Sequence, residues 1–130
     1  MTREIKVRGR HVDNGEWVYG YLIGQDVIVG SIVEWDSEYF NTEFWYKVNP
    51  ETVGQYTGLK DRNGKEIYEG DILQDDNGVG EVEWVQEHCA FMVFTRNPST
   101  YHRLESDGSL TSTTVIGNIH PNPDLLEVSP

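Results

Sequence analysis

The run from Gln55 to Leu73, QYTGLKDRNGKEIYEGDIL, constrains the fold more than any other stretch, because it is a dense succession of turn formers and strand formers. Asn63-Gly64 is the pair that a type I′ hairpin turn requires: both central residues need positive φ, which Asn tolerates and Gly accepts freely. Lys65 to Tyr68 resumes an extended pattern, Glu69-Gly70-Asp71 breaks it with a second bend or bulge, and Ile72-Leu73 opens a new apolar run. The stretch therefore predicts a compact, turn-rich β unit. No catalytic or ligand-binding signature accompanies it.

The rest of the chain reads the same way. Ile5 and Val7 alternate with charged neighbours, the pattern of a strand with one wet face. From Trp17 to Ile23 both faces are apolar, which predicts a central strand with core residues among Trp17, Tyr19 and Tyr21. Val27 to Trp35 is followed by the acidic loop Asp36-Ser37-Glu38 and by an irregular, partly exposed strand or hairpin rich in aromatics. Asn49-Pro50 closes that region, since the residue before proline leaves the helical basin and proline cannot donate to a ladder. Further strands are expected over Val79 to Val85, Phe91 to Phe94, Thr100 to Leu104 and Val115-Ile116, with Gly117-Asn118 ending the last. One short helix is expected at Pro123 to Leu126, with Asn122 as its N-cap.

The fold class is thus mostly β with very little helix: small antiparallel barrels, an SH3-like barrel in the second half, and N-terminal strands packed on it. A single domain of residues 1–130 is expected, divisible into β subdomains of about 1–54 and 55–130. At 130 residues the chain buries roughly 65–70% of its unfolded surface, so a core needs neither metal nor disulfide. Cys89 is alone, which excludes an intramolecular disulfide. With no apolar run near the ~18 residues of a membrane span and no apolar leader, a soluble protein without membrane contact is expected.

The 55–73 run also carries a family resemblance. With Arg3 to Gly9, Gly80 to Trp84 and Val115 to Leu126, it resembles the YopX family of phage and prophage proteins, most specifically at Gln55 to Asp61, Tyr68 to Ile72 and Val115 to Ile119. Residues 25–50 and 87–112 look like variable connections by comparison. The resemblance implies a β-rich fold, a place in the cytoplasm of a bacterial host and no assigned biochemical role.

Charge narrows the partners. The net charge is −12; residues 1–50 carry five basic and eight acidic side chains, and residues 51–130 five and fourteen. No Lys or Arg occurs from Glu66 to Thr95, whereas eight carboxylates lie between Glu66 and Glu87. Such a field repels phosphates, so direct nucleic-acid binding is not expected. The cations Arg3, Lys6, Arg8 and Arg10 form the one basic cluster, available to the acidic half or to a neighbouring subunit.

No cofactor is expected. His11, His88, His102 and His120 lack zinc-site spacing, and His88-Cys89 are strand neighbours that face opposite ways. Asp71, Asp75 and Asp76 are placed to approach one another near a hairpin end, which leaves weak divalent binding open. There is no nucleophile elbow and no Gly-Lys-Ser/Thr phosphate loop. Aromatics remain the best binding candidates: Trp35, Trp45 and Tyr46 in irregular sequence, then Tyr56, Tyr68, Glu69 and Asp71 where the family motif is densest. The expectation is a noncatalytic acidic β-barrel that binds a protein, a second copy of itself included. The alternatives are a nucleic-acid mimic docking on a basic host protein and a weak metal-assisted hydrolase.

Overall fold

The computed structural model describes residues 5–75, 78–96, 99–105 and 110–119, apart from the side chains of Trp35, Arg96 and Ser99. Asp76, Asn77, residues 106–109 and the helix expected at Pro123 lie outside the described residues. The chain divides into two compact units, one ending at Gln55 and the other beginning at Tyr56. The described residues are mostly strand, and their only helical pieces are two short 3-10 turns at Pro50–Thr52 and Gln86–His88.

The N-terminal unit contains β1 (Val7–Arg10), β2 (Trp17–Ile23), β3 (Val27–Val29), β4 (Ile32–Trp35), β5 (Phe40–Thr42) and β6 (Trp45–Lys47). The antiparallel order is β6-β3-β2-β1, so β2 is central in pairing, as its apolar run predicted. Past β6 the chain returns to β1: His11 and Val48 form a bridge, Val12 N donates to Lys47 O at 3.1 Å and Asn49 N to Arg10 O at 2.9 Å. These bonds curl the sheet back on itself. Val18, Ile28 and Val48 fill its inside, with Val7, Phe44 and Val53 against them. Asn49 caps the 3-10 turn, and Thr52 takes the Arg10 amide on its hydroxyl at 2.8 Å.

β4 and β5 form an arm. The β3–β6 ladder runs on through Gly30 N to Phe44 O at 3.0 Å and Glu43 N to Ser31 O at 2.9 Å, and then into β4 and β5, which pair only with each other among the described residues. Val33 is an extra residue in that ladder, a bulge between Ile32↔Thr42 and Glu34↔Asn41. Asp36 closes the tip by accepting the Glu38 and Tyr39 amides.

The second unit begins within β7 (Gly54–Lys60) and continues with β8 (Glu66–Tyr68), β9 (Asp71–Asp75), β10 (Gly78–Val85), β11 (Ala90–Arg96), β12 (Ser99–Arg103) and β13 (Thr114–Asn118). Its sheet has the antiparallel order β12-β11-β10-β9-β13 and curls as a half-barrel. These ladders establish a half-barrel without establishing the SH3-like arrangement expected for this half. Ile67, Leu73, Val82, Phe91, Val93 and Leu104 form the core, joined by Leu59, Trp84 and Val115. Burying each large apolar side chain contributes roughly 1.5–3 kcal/mol. β13 does not stop before Gly117; it continues through Asn118 with a bulge at Ile116.

The Asn63-Gly64 hairpin forms, with a different turn from the one its dipeptide predicts. Only Gly64 takes positive φ, +87°; Asn63 does not. Gly64 N bonds Asp61 O at 3.0 Å and Asp61 N bonds Lys65 O at 2.7 Å, a type I turn followed by a glycine bulge. The cause is Asp61, whose carboxylate accepts the Asn63 and Lys65 amides at 2.8 and 2.9 Å and so selects the right-handed turn. The Glu69-Gly70-Asp71 bend is present as read, with Gly70 at φ +88°.

Candidate functional site

The side chains named from the sequence fall into two environments. Tyr56, Tyr68 and Asp71 are 6%, 1% and 1% exposed, inside the second unit. The two tyrosine rings lie 5.3 Å apart, and the Tyr68 hydroxyl donates to Glu66 Oε1 at 3.0 Å. Asp71 accepts the Tyr68 amide at 2.7 Å, holding the bend between β8 and β9, and Asn118 Nδ2 approaches its other oxygen at 3.5 Å. Glu69 is half-buried in that bend. These groups shape the turn and face the interior.

Trp45 and Tyr46 stand elsewhere, on β6, 65% and 44% exposed. Tyr46 stacks on Phe44 at 5.4 Å between ring centres and meets the His11 ring at 5.1 Å. Trp35 pairs with Phe40 through the backbone at the arm end, and its side chain lies outside the described set.

Around Trp45 the N-terminal unit carries an apolar surface that takes in Tyr19 and Tyr21, which the sequence reading placed among the core residues. Tyr19 and Tyr21 are half exposed, as are Ile23 on β2 and Ile32 and Phe40 on the arm. Of the seven residues of β2, only Val18 is buried. Register accounts for most of this: Val18 and Gly20 lie on the side of Val7 and Ile28, whereas Tyr19, Tyr21 and Ile23 alternate onto a face that no other described strand of the unit covers; Leu22, on the side of Ile28, is exposed near the end of the strand. Val29, itself buried, pairs with both Tyr21 and Trp45, so the exposed aromatics of β2 and β6 share one side of the sheet across β3.

Besides a hollow toward the arm tip by Asp36, Glu38 and Phe40, two hollows interrupt this surface. One, of about 450 Å³, lies where the arm leaves the sheet and is lined by Tyr21, Ile23, Val29, Ile32, Phe40 and Thr42, with Gly30 and Ser31 at its floor. The other, of about 400 Å³, lies by His11, Trp17, Phe44 and Tyr46. Beside them the Arg8 and Arg10 guanidinium groups sit 4.3 and 5.1 Å from the Trp17 ring centre, so two cations of the basic cluster are spent on an aromatic face. At the arm tip the Tyr39 hydroxyl donates to Glu34 Oε1 at 2.8 Å, and that carboxylate raises the phenol pKa above its ordinary value.

The metal reading loses its geometry. Asp71 and Asp75 occupy opposite ends of β9, about 13 Å apart at the rise of an extended strand, instead of meeting at one hairpin end. Among the described residues no group of three or more His, Cys, Asp or Glu is placed to hold a metal ion. Cys89 is a free, exposed thiol in the turn before β11. No helix among the described residues is long and apolar enough to cross a membrane.

The family model for YopX protein matches residues 6–127. The chain belongs to the YopX family. No curated protein matches it. In this YopX chain the motif stretch Tyr68 to Ile72 builds a buried bend, and the exposed apolar surface lies mainly in β2 and in the 25–50 segment. The signal that would have found this surface is a surplus: Trp17 to Tyr46 supplies more large apolar residues than a unit of about fifty residues can bury.

Proposed function

We propose that this YopX protein is a noncatalytic accessory protein of a phage or prophage, acting in the cytoplasm of a bacterial host by binding a protein through the apolar face of its N-terminal unit. One observation carries the reading: Tyr21, Ile23, Ile32 and Phe40, each between 47% and 57% exposed, line a hollow of about 450 Å³, and Tyr19 and Trp45, 48% and 65% exposed, stand on the same unit. Contiguous exposed apolar surface of this extent marks interaction sites, and Trp and Tyr dominate the energetics of such contacts.

Mimicry of nucleic acid has less support. It needs a row of exposed carboxylates, and of the described carboxylates from Glu66 to Glu87 only Glu83 and Glu87 are exposed. The two readings separate in an affinity capture from host lysate. Phe40→Ser/Trp45→Ser is expected to lose a partner that Glu83→Gln/Glu87→Gln keeps. Retention of every partner by the aromatic variant, with loss in the carboxylate variant, would overturn the proposal.

A further inference from the structure

We infer that the protein forms a two-fold dimer in which the β4–β5 arm of each copy packs, side chains inward, on the apolar hollow of the other. This rests on the binding role proposed for that face and names its partner as a second copy of this chain.

A two-stranded ribbon that runs out past the other strands of its sheet has no strand beside it and gains from a covering surface. The arm pairs with no further strand among the described residues, yet Ile32, Val33, Tyr39 and Phe40 on it are 57%, 63%, 50% and 53% exposed. The area suffices for a stable contact. Large side chains that bury ~150–250 Å² when fully covered still offer on the order of 100 Å² each when half exposed, so six to eight of them supply about 600–800 Å² per copy, the size of a standard interface.

The surface is also self-complementary. Ile32 and Phe40 both project from the arm and line the hollow at its base, so one patch contains ridge and groove, as an isologous contact requires. Charge selects the orientation. Glu34, Asp36 and Glu38 lie toward the arm tip and Glu43 at its base, with no Lys or Arg from Gly30 to Tyr46, so parallel arms would set three tip carboxylates against three and antiparallel arms three against one. Antiparallel arms separate the tips by about 17 Å, the length of five extended residues and about twice the Debye length at physiological salt. The Val33 bulge interrupts the β4 ladder, which favours contact through side-chain faces over edge-to-edge pairing.

Sedimentation equilibrium of the full chain from about 1 µM to about 1 mM, a range that brackets ordinary weak to moderate association, tests the inference. The expected result is a reversible monomer–dimer equilibrium that Phe40→Glu weakens by about thirtyfold or more, as loss of a central anchor does. Tyr101→Ser, at a 53% exposed position of the other unit, leaves it unchanged. Ile32→Glu on the facing strand gives the same readout should Phe40→Glu lose its circular dichroism spectrum. A wild-type chain that stays monomeric throughout overturns the dimer while leaving capture of a foreign protein open to the lysate experiment. A dimer that Phe40→Glu and Ile32→Glu leave intact, or that Tyr101→Ser weakens as much, overturns it as well.

Discussion

Asp61 ties together separate stretches of the second unit's backbone. It is 1% exposed, and its two oxygens accept the amides of Asn63 and Lys65 and, across 54 positions of chain, that of Val115 at 3.0 Å. Burial alone would raise its pKa; the three amide bonds and the Lys65 charge together outweigh burial and hold the carboxyl below its ordinary value. A depressed folded-state pKa means stabilisation that is complete above the unfolded value near ~3.9 and is lost as pH falls through the folded one. Asp61→Asn places an NH₂ against an amide donor on one side, and is expected to cost about 1–3 kcal/mol at neutral pH. It should also flatten the acid limb of stability below about pH 4. Urea unfolding of both proteins across that range checks this; equal midpoints, or an unchanged acid slope, would show that Asp61 is a bystander.

Individual residues also show where reading the sequence stops. The hairpin at Asn63-Gly64 was legible from the dipeptide, yet its turn type was decided by a carboxylate two residues earlier, a competition that dipeptide preference does not encode. Tyr68 and Asp71 read as site candidates because polar groups in a dense motif invite function. Their hydrogen bonds, the Tyr68 hydroxyl to Glu66 and the Tyr68 amide to Asp71, are internal, and only the folded bend reveals that.

At the scale of elements, β2 is the instructive case. Its central place in the ladder followed from two apolar faces, but burial did not, because pairing covers a strand's edges and leaves its faces to whatever packs above them. The sequence reading put an irregular, partly exposed strand or hairpin after the acidic loop and the run to Trp35 before it as a separate piece; the structure pairs the two across Asp36 as the arm, whose anchorage depends on Gly30. A Cβ there would meet the Phe44 ring at 2.7 Å, closer than packed atoms stand, at the point where β3 passes into β4. Gly30→Ala therefore forces Phe44 off the small core and is expected to destabilise the N-terminal unit by about 1–3 kcal/mol. A thermal melt followed by near-UV circular dichroism reads the effect, and an unchanged melting temperature would show that the ring yields freely.

At the scale of the whole molecule, carboxylate excess and apolar surface are unevenly distributed. Residues 51–130 hold −9 of the −12 net charge, while the exposed aromatic row belongs to β2, β6 and the arm. An acidic composition of this kind disfavours contact with phosphate, and the exposed aromatics are the basis of the binding role proposed above. Family and β architecture were legible because turn chemistry and strand alternation are local. The exposed apolar face was not, because exposure is a property of the assembled unit. Hydrogen exchange, followed peptide by peptide on the dilute protein and on its complex with itself or with a captured host protein, tests that face most directly. Slowed exchange is expected across residues 19–23 and 28–46, with 78–85 and 90–103 unchanged. Slowing confined to 78–103, with 19–46 exchanging as in the free protein, would contradict it.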